Sequence, residues 1–259
     1  MVIIVKSPED IKSSKLALMD LEGTLTPVKR RVPENAGKEE LLKVLEGESL
    51  EEAQEIGYWS GLNFLAGERP EKYFERVKMW KSGEISFESF ESRNVELWNS
   101  FLEDSDFKTA KELVRWYNKK FLNLRIDADK LVRICKEENN LEVGIITHTS
   151  SSVALEAAVE LGADFVVETW SFSFEDDRFG FTEHKDYALD KNKLIEQIED
   201  RTEFVAFFGN GKNDLEIAEN ADKAFMIENR DEVNYDKVDG FTGSFQQVIR
   251  EAKKMREKQ

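Results

Sequence analysis

Four short polar clusters in this 259-residue chain each follow an apolar run, and their residue types suit nucleophilic, proton-transfer and cation chemistry. The first is Asp20-Leu21-Glu22-Gly23-Thr24, directly after KLALMD reaches its aspartate. A carboxylate at the end of a buried strand is held rigidly while the loop beyond it admits a substrate, which suits a nucleophile. A second carboxyl two residues on can face the same mouth and carry a proton, and Gly23 lets the chain turn sharply away. The same run also fits a loop whose acids only cap or are solvated. The second cluster is Thr147, followed by His148, Thr149 and three serines. A hydroxyl there can bond a phosphoryl oxygen, helped by backbone N–H groups at the next helix start. Ser150 or Ser151 suits the cap of that helix, and His148 reads as a structural or supporting neighbour.

The third cluster centres on Lys191 in LDKNKLIEQI, at a helix start. The helix dipole disfavours a cation there, so its place points to a local anion. A solvated surface lysine is the ordinary explanation, and Lys185 and Lys193 are rivals for the role. The fourth is Gly209-Asn210-Gly211-Lys212-Asn213-Asp214, after EFVAFFG. Amides, an acid and a tight glycine turn suit a hard cation bound by oxygens. The loop lacks the third glycine of a dinucleotide fingerprint, and as a lone motif it also fits a turn capped by Asp214.

These clusters need rigid elements beneath them. Short β-branched runs are expected as strands at Lys15–Asp20, Glu142–Thr147, Asp164–Glu168, Glu203–Gly209 and Lys223–Ile227. Helical patterns alternate with them at Ser152–Leu161, Lys191–Ile198, Asp214–Asn220 and Ser244–Glu257. Strand–helix alternation predicts an α/β domain with a doubly wound parallel sheet, whose chemistry gathers where strands end.

From about Glu34 to Asn123 the rhythm breaks. No strand is expected there, and amphipathic stretches at Glu39–Leu45, Glu71–Trp80 and Lys108–Phe121 predict an inserted helical block. Its aromatics, including Tyr58, Trp59, Phe64, Tyr73, Trp80, Phe90 and Trp98, recur at helical spacings and are expected as bundle core rather than a ligand cage. Ser171–Phe181 (SFSFEDDRFGF) reads as a β-hairpin. The resulting division is a core of residues 1–33 and 124–259 and a helical cap of residues 34–123.

Composition narrows the function classes. With 40% hydrophobic and 35% charged residues the chain can bury a core but has no run long enough to span a membrane. A net charge of −16 argues against a general nucleic-acid binder. The lone Cys135 excludes an internal disulfide and is expected as a buried small hydrophobe. The N-terminal run is too short for a secretory signal, so the cytoplasm is the expected location.

In order and spacing, the four clusters resemble the four motifs of the haloacid dehalogenase (HAD) superfamily: D-x-D-G-T, a Ser or Thr after a strand, a Lys, and G-D-G-x-N-D. The branch they look most like is the phosphoserine-phosphatase-like group, which carries a helical cap after the first motif; WKSGEISFESF at Trp80–Phe90 is similar to part of that cap. The resemblance implies a HAD/Rossmann-like core, Mg²⁺ as cofactor and a small phosphorylated metabolite as substrate. It implies Asp20 as nucleophile, Glu22 as acid/base, and Thr147 and Lys191 as holders of phosphoryl oxygens. The phosphate-binding set would be Gly23, Thr24, Thr147, His148, Lys191 and Asn213. The metal set would be Asp20, Glu22 through its backbone carbonyl, Asn210 and Asp214.

Two residues depart from the pattern. Glu22 stands for an aspartate and adds a methylene of reach. Asn210 stands for a metal-binding aspartate, keeping an oxygen but removing a negative charge, so weaker metal binding is expected. The reading that follows is a phosphomonoester hydrolase working through an aspartyl-phosphate. The alternative is a catalytically impaired relative acting as a metabolite-binding, regulatory or assembly subunit. In the phosphoserine group a cap-side glutamate and arginine grip the amino acid; LTPVKRRVPENAG after Thr24 lacks the glutamate at its expected place.

Overall fold

The computed structural model describes residues 4–26, 30–32, 54–147, 149–167, 170–181, 183–184, 192–198, 202–211, 214–228 and 239–255. The expected helix Glu39–Leu45 lies outside them. Contacts divide the chain into two compact units, one of residues 1–28, 123–170 and 184–259, the other of residues 29–122 and 171–183.

The first unit is built on a seven-stranded parallel sheet. Its strands, in chain order, are β1 (Ile4–Lys6), β2 (Lys15–Asp20), β3 (Glu142–Ile146), β4 (Phe165–Val167), β5 (Phe204–Gly209), β6 (Lys223–Ile227) and β7 (Asp239–Gly243). Their order across the sheet is β1-β4-β3-β2-β5-β6-β7. Residues after the first are buried throughout β2, β3 and β5, as expected of central strands covered on both faces. On one face Leu16, Leu18, Ile146, Phe165, Phe207 and Met226 pack with Leu194, Ile195 and Ile198 of the helix Asn192–Ile198 and Ile217 of the helix Leu215–Asn220. Ala17, Met19, Val143, Ile145, Phe208 and Phe225 alternate onto the other face, where the rings of Phe208 and Phe225 stack at 4.7 Å. The helices Ser151–Leu161, Ala128–Arg133 and Phe245–Lys253 belong to that side. Gly144, in mid-strand, leaves room for the Phe165 ring: a Cβ built there would lie 2.4 Å from the ring.

The five strands expected from sequence are all present, and the two at the sheet edges, β1 and β7, are additions. The chain leaves β2, visits β3 and β4 on one side, and returns to β5 on the other. The winding therefore reverses at β2 and β5, where open α/β sheets hold their ligands.

The second unit contains the helices Tyr58–Leu65, Pro70–Ser82, Phe87–Glu103 and Ala110–Phe121. Pro70 opens its helix at a position where the missing N–H costs nothing. The Trp80–Phe90 segment is a helix–turn–helix corner. Gly83 ends one helix at φ +79°, the Ser86 hydroxyl caps the next by accepting from Ser89 N–H at 3.1 Å, and Trp80 stacks on Phe90. Half of the aromatics expected as core are buried, whereas Trp59, Trp80, Phe87 and Phe101 are half-buried and Phe74 is exposed. Tyr58, Phe64, Tyr73, Phe90, Trp98 and Tyr117 are buried, the Tyr58 hydroxyl donates to Asn118 Oδ1 at 2.6 Å, and Tyr117 donates to the Tyr58 carbonyl at 3.0 Å. Arg76 forms a bidentate pair with Glu68 and also donates to Asn94 and the Phe90 carbonyl.

Two expectations are corrected here. A short strand, Gln54–Ile56, pairs antiparallel with Arg30–Val32 inside the block expected to hold none; a three-residue strand is too brief for its alternation to stand out. Residues 171–183 group with the helical unit and not with the range 124–259. The reason is aromatic packing: Phe172 and Phe179 lie against Trp98, and the Asn99 side chain pairs with the backbone of Phe179. The hairpin itself forms as expected, with Phe174–Glu175 opposite Arg178–Phe179. Its two-residue turn places Asp176 and Asp177 at φ +47° and +64°, the backbone of a type I′ turn.

Candidate active site

Asp20 is the last residue of β2. Its register partner on β3 is Ile146, and Met19 is opposite Phe208 of β5, so the loops that begin at Leu21, Thr147 and Asn210 leave one edge of the sheet side by side. Parallel strands with aligned ends make this unavoidable once the register is set. The Asp20 carboxylate is only 4% exposed, yet it is in polar company: Thr24 Oγ1 donates to its Oδ2 at 3.2 Å.

The loop Leu21–Leu25 is a single wide turn closed by Thr26 N–H, which donates to the Leu21 carbonyl at 2.9 Å. The Thr26 hydroxyl ties it further, donating to the same carbonyl and accepting from Gly23 N–H. Gly23 has φ +84°, and a Cβ at this position would lie 2.1 Å from Asn210 Nδ2. Glycine is therefore required twice over, once by backbone conformation and once because the Asn210 amide occupies the space a side chain would fill.

Asn210 joins the first and fourth clusters. Thr24 Oγ1 lies 3.4 Å from Asn210 Oδ1, so one hydroxyl spans the nucleophile candidate and the amide that stands for an acid. Asp214 is 2% exposed, and its Oδ2 accepts the backbone N–H of Asn210 at 2.9 Å and of Gly211 at 3.1 Å. The carboxylate thus fixes its own loop. Thr147 is fully buried, and its Oγ1 accepts Thr149 N–H at 3.0 Å. Ser150 caps the helix Ser151–Leu161 by accepting from Ser152 N–H, leaving Thr147 for another role. Glu22 is half-buried in the turn. His148, Lys191 and Asn213 lie outside the described residues.

Asp20, Asn210 and Asp214 offer only oxygen side-chain donors, and the backbone carbonyl of Glu22 would add another. A hard divalent cation such as Mg²⁺ suits that set, and a thiophilic one does not. Among the described residues no three acidic, histidine or cysteine side chains gather into a metal cage.

Two residues of this region were given no individual role from the sequence. Thr149 is fully buried, with a hydroxyl that has no hydrogen-bond partner among the described residues; the T-H-T-S-S-S run drew attention to it only as a polar stretch. Arg125 reaches the Gly23–Thr26 turn from 99 positions away, and no local pattern marks it.

A family model for haloacid dehalogenase-like hydrolases matches residues 14–222. Among solved structures, a phosphoserine phosphatase from T. onnurineus in complex with NDSB-201 has a TM-score of 0.58 at 19% identity, over 94% of this chain and 97% of that one. A phosphoserine phosphohydrolase-like protein from Francisella tularensis gives 0.54 at 14%, over 92% and 98%. A phosphoserine phosphatase with a phospho-aspartyl intermediate analogue gives 0.52 at 16%, over 93% and 99%. At these identities the likeness establishes a common fold. No curated protein matches the chain in sequence. With a family match across most of its length and the sheet, inserted helices and strand-end loops just described, the chain belongs to the haloacid dehalogenase-like hydrolase family.

Proposed function

We propose that this protein is a Mg²⁺-dependent phosphatase that hydrolyses a small phosphomonoester through an aspartyl-phosphate on Asp20. The observation that carries the reading is the Thr24 hydroxyl reaching both Asp20 Oδ2 and Asn210 Oδ1, which brings the nucleophile and cation clusters to one point where the sheet winding reverses. In the reaction, an Asp20 carboxylate oxygen bonds to phosphorus as the ester P–O bond breaks. The Glu22 carboxyl gives its proton to the departing oxygen. The Glu22 carboxylate then takes a proton from water, whose oxygen attacks the same phosphorus, releasing inorganic phosphate and restoring Asp20.

Thr147 and Lys191 hold the phosphoryl oxygens in this reading, supported by Gly23, Thr24, His148 and Asn213. Asp20, Asn210, Asp214 and the Glu22 carbonyl hold Mg²⁺, which when bound offsets the repulsion between a carboxylate and a phosphate dianion. The helical insertion acts as a cap that excludes polymers and selects small phosphorylated metabolites. Neither nucleic acid nor membrane is a partner, and the cytoplasm is the compartment, as an acidic chain with one buried thiol suits.

The test is hydrolysis of an aryl phosphate with and without Mg²⁺, in the parent protein and in Asp20→Asn. Hydrolysis that needs Mg²⁺ and vanishes in the variant is expected. Activity that survives the substitution removes Asp20 from the role of nucleophile. The amide at Asn210 favours a second reading, a binding or regulatory subunit. It would be identified by failure to trap beryllofluoride with Mg²⁺, the aspartyl-phosphate mimic that a competent Asp20 should bind, together with no turnover of any phosphomonoester.

A further inference from the structure

Arg125 lies between the helices Ala110–Phe121 and Ala128–Arg133, outside all four motif loops, and has no part in the chemistry above. Nevertheless it makes three hydrogen bonds to the turn after Asp20. Its backbone N–H donates to the Leu25 carbonyl at 2.8 Å, its Nε to the Thr26 carbonyl at 3.1 Å and its Nη2 to the Gly23 carbonyl at 3.0 Å. The opposite side of the guanidinium meets Glu228 in a bidentate pair, Nη1 to Oε1 at 3.2 Å and Nη2 to Oε2 at 2.9 Å, and its face lies 5.3 Å from the centre of the Phe245 ring. The Arg125 side chain is 13% exposed.

Glu228 is itself anchored. It follows β6 directly, adopts φ +52°, a conformation unfavourable for a residue with a side chain, and donates its N–H to the Gly243 carbonyl at 2.9 Å. A continuous path thus runs from the ends of β6 and β7 through Glu228 and Arg125 to the carbonyls of Gly23, Leu25 and Thr26. Gly23 lies directly beneath the Asn210 amide and next to Glu22. Buried loop carbonyls need donors. Only a planar fork can serve Gly23, Thr26 and a carboxylate together, and a lysine ammonium cannot.

We propose that Arg125 is a positioning residue for the reaction at Asp20. It locks the Gly23 turn so that the Glu22 carboxyl and the Asn210 amide keep their register with the nucleophile. This inference rests on the phosphatase reading for its kinetic consequence, but not for its structural one. Arg125 does not touch the substrate, so its loss lowers kcat and leaves KM largely in place.

The test compares the full-length parent with Arg125→Lys and Arg125→Ala, measuring aryl phosphate hydrolysis at saturating Mg²⁺ and amide hydrogen exchange over residues 20–26. For Arg125→Lys a fall in kcat of roughly tenfold to a hundredfold is expected, the scale of a small misplacement of reacting groups. KM should change by no more than about twofold, since uniform binding is untouched. Exchange should quicken in the Gly23 turn while β2 and β5 keep their protection, and added guanidinium should restore part of the kcat of Arg125→Ala. Unchanged kcat and unchanged turn exchange in Arg125→Lys would overturn the proposal. So would a loss of protection throughout the sheet, which would make Arg125 a general stability element. If the parent hydrolyses no phosphomonoester, the phosphatase reading fails separately. The exchange arm still decides: a turn no faster in Arg125→Lys overturns the anchor, and a selectively faster turn upholds it.

Discussion

At the scale of single residues, the Asn210 amide is the most consequential departure in the site. It supplies an oxygen 3.4 Å from Thr24 Oγ1 but no charge, and its side chain fills the space above Gly23. Asn210→Asp changes the charge with almost no change in shape, so it should tighten Mg²⁺ binding by on the order of tenfold, because hard-cation affinity follows ligand charge. A calorimetric titration checks this, and equal or weaker binding would count against a cation at Asn210. Cys135 gives a second prediction. Burial alone pushes its thiol well above the ordinary 9.0. The folded protein should thus resist thiol reagents at neutral pH and react fully once unfolded. The sign for stability follows: above the ordinary thiol value the unfolded chain releases a proton that the folded chain keeps, so stability falls progressively as pH rises above 9.0. Rapid labelling of the native protein would contradict the buried placement. Asp20, Thr147, Asn210 and Asp214 were legible in the sequence because each ends or follows a strand whose apolar run is unmistakable. Arg125 was not, since its role comes from partners 99 to 103 positions distant.

At the scale of elements, legibility followed burial. The central strands β2, β3, β5 and β6 are covered on both faces and read as unbroken apolar runs, the plainest signal a parallel sheet produces. The edge strand β1 has only three residues, and β7, with the sequence Asp-Gly-Phe-Thr-Gly, has two glycines and is partly exposed. Neither carries a run long enough to distinguish it from a loop. Gly144 shows what pattern reading leaves out. A glycine in mid-strand is a weakness by propensity, but here it admits the Phe165 ring of the neighbouring strand. Gly144→Ala should therefore destabilise the fold by about 1–3 kcal/mol, the usual cost of overpacking a filled core, despite alanine's better strand propensity. Denaturant unfolding measures it, and an unchanged or raised midpoint would show that Phe165 can move aside at little cost. The hairpin turn at Asp176 and Asp177 was recognisable from its turn residues, but its grouping with the helical unit depended on ring contacts of Phe172 and Phe179 that no local pattern encodes.

At the scale of the whole molecule, a net charge of −16 and, among the described residues, no helix long and apolar enough to cross a membrane leave a chain organised around one parallel sheet and one helical insertion. The insertion divides the sequence after the first motif loop, so the sheet is assembled from segments far apart in the chain. Its function in this proposal depends on a covalent bond at one atom group. The most direct measurement is therefore acid quenching of the protein during turnover of an aryl phosphate with Mg²⁺, followed by peptide mass spectrometry. Phosphate on the peptide that contains Asp20, absent from Asp20→Asn, is the expected result. Sustained hydrolysis with that peptide never modified, or with the label on another residue, would contradict it.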